Sequence, residues 1–328
     1  MSLIFSFIIA FFVSLALGKV LIPVLRALKA GQSIKEIGPT WHMSKQGTPT
    51  MGGLMFIAGI GVAVTVAGWR QMMQGNYAHL LVYLFALVFG IIGYVDDYEK
   101  VKHHHNTGLT APQKFMLQLS ASVAFVVLLR YLGFLTPNLY IPFVRKELIL
   151  PWPVYMAFAA FVMVATVNAV NITDGVDGLA TGVTLPVALF YVAVAAWFGN
   201  MELGLFGAAL SGGLAAFLVY NFHPAKVFMG DTGSLFLGGA VCGMAFALNI
   251  PLIIPVVGVI YVAEVLSDII QVTYFKLTHG KRIFRMAPLH HHLEMGGWSE
   301  VKLFCIFSLI TALMCVLAFW GVMDRVGL

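Results

Sequence analysis

Residues 154–197 read VYMAFAAFVMVATVNAVNITDGVDGLATGVTLPVALFYVAVAAW. Two apolar stretches flank the polar segment NITDGVDG at 171–178. Each stretch is close to the ~20 residues that an α-helix needs to cross ~30 Å of hydrocarbon. Neither alternates apolar and polar residues, as the strands of a membrane barrel do. This part of the chain therefore predicts two membrane-spanning helices joined by a break that holds Asp174 and Asp177.

The composition of the whole chain also indicates a helical membrane protein. Of its 328 residues, 60% are apolar and 10% are charged, whereas an ordinary soluble domain has about 25% charged residues. The net charge of +5 bears on orientation in the membrane, and we expect no nucleic acid partner. Cys242, Cys305 and Cys315 fall in apolar runs, which predicts inert thiols and no disulfide. The N-terminal stretch lacks a basic leader and a clear cleavage site, so we expect a retained first span.

Ten apolar segments predict an all-α integral membrane protein, a bundle of about ten transmembrane helices in one polytopic domain over residues 1–328. They lie near 3–28, 51–69, 78–95, 113–132, 152–170, 179–198, 203–221, 233–249, 251–276 and 300–323. The prolines, β-formers and charges of residues 136–150 instead indicate a short hairpin on the membrane surface. No internal repeat is visible.

Lysine and arginine predict the orientation, because cytoplasmic loops are enriched in them. One side of the membrane collects Arg26, Lys29, Lys35, Lys45, Lys100, Lys102, Lys114, Lys226, Lys276, Lys281, Arg282, Arg285 and Lys302, and the other only Arg70, Arg130, Arg145, Lys146 and Arg325. The rich side is expected to be cytoplasmic, with both termini outside. Every aspartate except Asp324 lies toward that side, which predicts a carboxylate-rich cavity open to the cytoplasm.

Adjacent carboxylates end the third apolar segment in GYVDDYEK. Asp96 and Asp97 repel each other, so the pair suits a divalent metal or a base for proton transfer. A solvated helix end paired with Lys100 and Lys102 explains the same residues.

The polar break carries four regularly spaced side chains, at every third position: Asn168, Asn171, Asp174 and Asp177. Non-helical backbone at membrane depth is tolerated where it lines a cavity or is buried in protein, and ionisable groups there are functional candidates. A capped turn with Asp177 at the start of the next helix is the alternative, although four polar side chains exceed what a cap needs.

The segment YNFHPAKVFMGDTGS places Asn221 at the end of one span and Asp231 just before the next. A helix N-terminus favours anions, and a carboxylate there can hold a metal whose other ligands are phosphate oxygens. A simple helix cap explains Asp231 alone. Phe228 fits either the core or a platform for an aromatic ring.

Histidines 290–292 follow Lys281, Arg282 and Arg285. Three successive helical histidines diverge, which suits a tetrahedral zinc poorly and a polyphosphate better; a loose basic loop is the alternative. Histidines 103–105 lie in a polar loop without following carboxylates, and we interpret them as a solvated patch.

Two further features stay open at this stage. Lys45 and Thr50 flank a Gly-Thr-Pro turn in SKQGTPTMGG that resembles a phosphate-gripping loop but lacks P-loop spacing. Glu264 and Asp268 form an acidic pair inside the ninth apolar segment. Such a pair either relays protons or is neutralised by hydrogen bonds or neighbouring cations, and the spacing does not decide between them.

Together these residues favour phosphoryl transfer at a membrane. Carboxylates without cysteine ligands favour Mg²⁺ over zinc, and Mg²⁺ keeps coordination sites for substrate phosphates. Charge neutralisation and positioning supply most of the catalysis in phosphoryl transfer. A lipid-borne acceptor would explain why the site lies at a membrane.

The chain resembles the phospho-N-acetylmuramoyl-pentapeptide transferases, a branch of the polyprenyl-phosphate N-acetylhexosamine-1-phosphate transferases. The resemblance covers nearly the whole chain and rests on motifs that occur in the same order: GTPTMGG, DD after the third span, NAVNITDGVDGLA, FMGDTGS and PLHHHLE. It implies transfer of phospho-MurNAc-pentapeptide from UDP-MurNAc-pentapeptide to undecaprenyl phosphate, giving lipid I and UMP. It also implies a Mg²⁺ requirement, a homodimer, and a bacterial plasma membrane location with a cytoplasmic active site.

The resemblance also implies residue roles. The catalytic positions are Asp96, Asp97, Asp231, His290 and His291, with Asp231 as the magnesium ligand. The substrate-binding positions are Lys45, Thr50, Lys114, Asn168, Asn171, Asp174, Asp177, Asn221, Phe228 and His292. Asp174 and Phe228 are expected near the uracil, and Lys114 is a further candidate for the nucleotide site.

Alternatives remain at this stage. The lipid phosphate attacks the β-phosphorus directly, with Asp96 or Asp97 as base, or the reaction passes through an aspartyl-phosphate. A related transferase acting on UDP-GlcNAc is the nearest other enzyme. An ion-coupled transporter is the alternative from another class, but transport sites lie near the midplane and the acids here cluster at one face.

Overall fold

The computed structural model describes residues 2–28, 45, 47–103 and 108–327. The predictions for Lys29, Lys35, His104 and His105 fall outside these residues. Within them the chain forms α1 (Ser2–Ala27), α2 (Gly53–Ala67), α3 (Trp69–Met73), α4 (Ala78–His103), α5 (Ala111–Tyr131), β1 (Asn138–Ile141), β2 (Lys146–Ile149), α6 (Trp152–Thr173), α7 (Leu179–Trp197), α8 (Met201–Asn221), α9 (Gly230–Ala247), α10 (Ile254–Val257), α11 (Val259–Leu277), α12 (Leu289–Glu294) and α13 (Glu300–Val322). The protein is an all-α integral membrane protein, as predicted.

The count of ten spans is not confirmed. Over the described residues, seven helices are long and apolar enough to cross a bilayer: α1, α4, α5, α6, α7, α8 and α13. An eighth span results if residues 251–277 count as one, bent by 80° between α10 and α11. The predicted second segment yields a helix of 15 residues, α2. The predicted eighth segment yields α9, which is buried along nearly its whole length, so protein rather than lipid surrounds it.

Helix α9 occupies the centre of the bundle and packs most extensively against α4, with α6 and α2 also in contact. Glycines permit this closeness: a Cβ on Gly238 would lie 2.5 Å from the Cα of Val167 in α6. Helix α4 does not end at residue 95 as predicted, but continues to His103. Asp96, Asp97 and Lys100 therefore lie on helical turns alongside the start of α9.

The chain breaks where the polar residues predict it. Residues 174–178 separate α6 from α7, and Gly178 has a φ of 74°, which glycine adopts at little cost. The predicted hairpin is confirmed, since β1 and β2 pair antiparallel with Asn138 opposite Ile149; its place on the membrane surface stays a prediction. The hairpin contacts the C-terminal end of α13, where the N–H of Phe143 donates to the carbonyl of Gly321 at 3.3 Å.

Candidate active site

Three carboxylates meet where α4 passes the first turn of α9. One oxygen each of Asp96, Asp97 and Asp231 lies within 4.8 Å of the others. Gly93 makes the approach possible, because a Cβ at that position would collide with the backbone carbonyl of Asp231. The structure thus brings together the three acids that the sequence predicted as catalytic.

The carboxylate of Asp97 is hydrogen-bonded to the N-terminus of α9. Its carboxylate accepts hydrogen bonds from the backbone N–H groups of Asp231 (3.1 Å) and Thr232 (2.8 Å) and from the Thr232 hydroxyl (2.7 Å). These are donors that a helix N-terminus leaves unpaired. Asp97 therefore caps α9 from a neighbouring helix and fixes the position of Asp231.

Two lysines and an asparagine surround Asp231. Nζ of Lys100 lies 2.8 Å from Oδ2 of Asp231 and 2.6 Å from Oδ2 of Asp96. Nζ of Lys114 lies 2.9 Å from the same Asp231 oxygen, and Asn171 donates to Oδ1 at 2.8 Å. Burial opposes the charge of Asp231, but the hydrogen bond with Asp96 and both lysines outweigh it and lower its pKa. Asp231 is thus ionised and shielded by positive charge.

A second cluster forms around Asp177. Nζ of Lys45 lies 2.7 Å from Oδ1 of Asp177 and 2.5 Å from Oε2 of Glu300. The other Asp177 oxygen accepts from the N–H of Ala225 at 2.9 Å and lies 3.0 Å from Nδ1 of His223. Burial alone would raise the pKa of Asp177, but Lys45, Ala225 and His223 stabilise the carboxylate and lower it. The cluster ties the Lys45 turn to the break after α6 and to the start of α13.

Asp174 lies between the two clusters. The pKa of Asp174 is raised well above the ordinary value. Burial is the largest cause, followed by the negative charges of Asp231, Asp97 and Asp177. Among the described residues, no hydrogen-bond donor contacts its carboxylate. The carboxylate of Asp174 is half-buried and is therefore open to a ligand, a proton or water.

The histidines of α12 diverge toward three different partners. Nδ1 of His290 lies 3.0 Å from Oε2 of Glu264, and Nδ1 of His291 lies 2.8 Å from Oε2 of Glu294. Nδ1 of His292 accepts from the backbone N–H of Arg285 at 3.1 Å. His290 and His291 thus face carboxylates, whereas His292 holds the preceding loop.

The remaining predicted residues shape the walls of the site. Thr50 approaches Gly230 beside Asp97, since a Cβ on Gly230 would lie 2.6 Å from Oγ1 of Thr50 and 2.5 Å from Oδ2 of Asp97. Asn168 donates to Oε1 of Gln118 in α5 at 2.6 Å.

Asn221 and Phe228 bracket the segment between α8 and α9. Asn221 donates to the carbonyl of Val227 at 3.0 Å and accepts from the Thr181 hydroxyl at 3.0 Å. The backbone N–H of Phe228 donates to the carbonyl of Pro49 at 2.9 Å, and the carbonyl of Phe228 accepts from the N–H of Gly52 at 2.8 Å. Both residues therefore connect this segment to its neighbours through hydrogen bonds.

Sequence reasoning missed several members of the site. Lys100 was weighed only as the partner of a solvated helix end, although its (i, i+4) spacing from Asp96 was a usable signal. His223 and Glu300 had no signal at all, because Glu300 lies 255 residues from Lys45 along the chain. The partnership of Glu264 with His290 was likewise invisible in the spacing.

The acidic cluster suits a hard cation. Asp96, Asp97 and Asp231 offer only carboxylate oxygens, which is the donor chemistry that Mg²⁺ prefers. The ammonium of Lys100 already lies between Asp96 and Asp231, so this position accepts positive charge. Asp177, His223 and Glu300 also lie close enough to hold an ion, but Lys45 already bridges the two carboxylates there.

Comparison with known proteins covers almost the whole chain. The family model for glycosyl transferase family 4 matches residues 79–249, and phospho-N-acetylmuramoyl-pentapeptide-transferase signature 1 matches residues 45–57. The phospho-N-acetylmuramoyl-pentapeptide-transferase of Clostridium acetobutylicum is 46% identical over 97% of this chain and 98% of its own. The enzyme of Clostridium botulinum strain Alaska E43 is 47% identical over 96% of this chain and 94% of its own length. The enzyme of Acetivibrio thermocellus is 46% identical over 97% of this chain and 94% of its own length.

The matched regions include the residues that build the site. Signature 1 spans Lys45 and Thr50, and the family 4 model spans Asp96, Asp97 and Asp231. By the extent of these matches, the chain belongs to the phospho-N-acetylmuramoyl-pentapeptide-transferase family.

Proposed function

We propose that the protein transfers phospho-MurNAc-pentapeptide from UDP-MurNAc-pentapeptide to undecaprenyl phosphate, yielding lipid I and UMP. The observation that carries this proposal is the convergence of Asp96, Asp97 and Asp231 with Lys100 and Lys114 at one end of a membrane bundle. Phosphoryl transfer between two anionic substrates needs this combination of positive charge and fixed carboxylates.

In the proposed reaction, an oxygen of the lipid phosphate attacks the β-phosphorus of the donor. The bond from that phosphorus to the oxygen shared with the α-phosphate breaks, and UMP leaves with the electron pair. Lys100 and Lys114 offset the negative charge that gathers as the two substrates approach. Asp96 faces this space beside Lys100, whereas Asp97 is occupied by α9, so Asp96 is the better candidate to hold or deprotonate the acceptor. An aspartyl-phosphate intermediate is the rival route.

We further propose that the enzyme requires Mg²⁺, held by Asp231 with Asp96 of the same carboxylate cluster as a second ligand. When bound, the ion would neutralise charge on the donor diphosphate. Asn171 and Ser234 support this assignment, because Asn171 donates to Asp231 and to Oγ of Ser234, each at 2.8 Å, and so fixes the orientation of the carboxylate.

An apolar groove beside the acids supports a lipid acceptor. The groove has a volume of about 540 Å³ and runs between α5 and α6 from Asn168 toward Val123. Phe115 and Phe161 line it and are themselves exposed on the surface of the bundle. Asn168 at its end lies one helical turn from Asn171, which contacts Asp231. We propose that the isoprenoid tail lies in this groove with its phosphate near Lys114.

The donor is proposed to occupy the opposite side of the acids. Its candidate contacts are Lys45, Thr50, Asn171, Asp174, Asp177, Asn221, Phe228, His290, His291 and His292, with Asp174 and Phe228 nearest the uracil. The lysine asymmetry supports a cytoplasmic site and outward termini in a bacterial plasma membrane. A single polytopic domain and a homodimer complete the proposal.

Release of UMP by the purified protein tests the function. We expect release with UDP-MurNAc-pentapeptide and undecaprenyl phosphate, loss of release on chelation of Mg²⁺, and a fall of several orders of magnitude for Asp231→Ala at unchanged folding. Release with UDP-GlcNAc instead would favour the related transferase. Substrate flux into sealed vesicles without UMP would favour a transporter and overturn the proposal.

A further inference from the structure

Glu264 and His290 form a buried pair that the proposed reaction does not yet use. Oε2 of Glu264 lies 3.0 Å from Nδ1 of His290 and accepts a hydrogen bond from the backbone N–H of His290 at 3.3 Å. The side chain of Glu264 is 0% exposed and that of His290 is 1% exposed. The same oxygen accepts the backbone N–H of His290, so we assign it as the acceptor toward Nδ1 as well, which places a proton on Nδ1.

The other ring nitrogen of His290, Nε2, is not used in this contact. Nε2 is buried and has no hydrogen-bond partner among the described residues. It points at Gly175, where a Cβ would collide with it, and Gly175 follows Asp174 at the centre of the site. Leaving a buried polar atom unpaired costs about 1–3 kcal/mol, so a structural role for the imidazole does not account for its orientation.

We propose that Glu264 is a positioning residue that fixes the proton on Nδ1 of His290 and thereby presents Nε2 to the nucleotide-sugar donor beside Asp174 and Gly175. The inference rests on the proposed function. It assigns the acidic residue inside α11 to orienting a histidine and not to relaying protons through the membrane.

Substitutions at position 290 test which nitrogen matters. A glutamine places its amide near the position of Nε2, whereas an asparagine places its amide near Nδ1. We expect His290→Gln to retain part of kcat/KM for the donor and His290→Asn to lose on the order of 100-fold, at equal thermal stability. Equal losses for both variants, or a smaller loss for His290→Asn, would overturn the role of Nε2.

A double-mutant cycle tests the part played by Glu264. Glu264→Gln should lower kcat/KM by about 10- to 100-fold, the range found when a group that orients a metal-bound histidine is removed. In a His290→Asn background the same change should have no further effect. Glu147→Gln, the same substitution on the surface hairpin, is the matched control and should match wild type. Wild-type kcat/KM in Glu264→Gln, or multiplicative effects in the double variant, would refute the proposal.

A measurement on the unmodified protein separates this inference from the function and from misfolding of variants. In ¹⁵N-histidine NMR spectra, the resonances absent from His290→Gln belong to His290. We expect Nδ1 to carry a proton, and a proton on Nε2 alone would refute the proposal. If wild type releases no UMP, the proposed function fails while this spectrum still reports the orientation of the histidine.

Discussion

Asp96 and Asp97 are neighbours in sequence but have different surroundings. Successive residues on a helix point about 100° apart, so Asp97 meets the first turn of α9 while Asp96 meets Lys100 and the backbone N–H of Leu109, at 2.8 Å. We therefore expect the same substitution at the two positions to have different effects on stability and activity. The sequence presents the two residues as equivalent, whereas in the structure Asp97 caps α9 and Asp96 is the one that we propose to take part in the chemistry.

The isosteric change Asp97→Asn should destabilise the protein more than Asp96→Asn. An amide at position 97 replaces an acceptor with a donor and leaves N–H groups of α9 unpaired, which costs about 1–3 kcal/mol. Asp96→Asn should keep the wild-type melting temperature more closely and lose activity. Thermal unfolding in detergent and UMP release measure both effects, and equal melting temperatures for the two variants would contradict this assignment.

Asp177 should give the protein a pH-dependent stability. Its pKa is lowered in the folded state, so its contribution is present above the unfolded value of about 3.9 and is lost as the pH falls through the folded value. At pH 7, Asp177→Asn should cost about 1–3 kcal/mol, because Lys45 keeps only Glu300 as a carboxylate partner and a buried acceptor of the cluster is lost. Melting temperatures of the two proteins should begin to converge below about pH 3.9 and should meet only below the lowered pKa of folded Asp177. A constant gap down to the acid limit would show that Asp177 acts by packing alone.

The sequence predicted the kinds of residue in the site better than their partners. Asp231, Asn171 and Lys114 follow from polar positions in apolar surroundings, since such residues are costly unless they are used. Contacts such as Lys45 with Glu300 depend on how distant helices pack. No local pattern encodes that packing.

At the scale of elements, α9 explains how the site is held. It is a buried helix with small residues facing its neighbours, and its first turn carries Asp231 against α4. The position of that turn depends on Gly93 of α4, which leaves room for the backbone carbonyl of Asp231. The distance between two helices thus determines the distance between the carboxylates that we propose to be catalytic.

Gly93→Ala should therefore abolish activity, because the added methyl group forces α9 and Asp231 away from Asp96. Gly90→Ala is the matched control on the same helix, where the new Cβ would lie 3.3 Å from the Cβ of Phe236, a tight contact that a small shift relieves. We expect Gly90→Ala to retain most of its UMP release and Gly93→Ala to lose at least about 100-fold, as expected for a displacement near 1 Å. Similar activities for the two variants would show that the contact at Gly93 is not limiting.

The lengths of the apolar segments predicted the helix boundaries well for helices that face outward from the bundle. They predicted the boundaries less well for helices that other helices surround. The segments at 152–170 and 179–198 correspond closely to α6 and α7. Helix α4 continues to His103 because Asp97 and Lys100 find partners on α9, which apolar length does not reveal. The bend between α10 and α11 likewise falls inside an unbroken apolar run.

At the scale of the whole molecule, polar chemistry is separated between the two ends of the bundle. The hairpin of β1 and β2 lies at the end of α13 near Gly321, whereas the carboxylates, lysines and histidines gather near the start of α9. Composition alone predicted the membrane class, because few charges accompany many apolar residues. The number of spans did not follow from it, because hydropathy does not distinguish a helix enclosed by protein from one that faces lipid.

This separation should be measurable by labelling with a membrane-impermeant maleimide. Glu147→Cys on the hairpin should react in intact cells, and Lys281→Cys in the loop before α12 should react only after the membrane is opened. Wild type controls for the native thiols, of which Cys305 is exposed and the other two are buried. Labelling of Lys281→Cys in intact cells would contradict the proposed orientation.

The groove between α5 and α6 opens sideways, so its occupant would arrive by diffusing within the leaflet. The relevant concentration is then the mole fraction of polyprenyl phosphate among surrounding amphiphiles, not its amount per volume of solution. At fixed total substrate, adding inert detergent or phospholipid should slow turnover by surface dilution, while the water-soluble donor keeps an ordinary saturation curve.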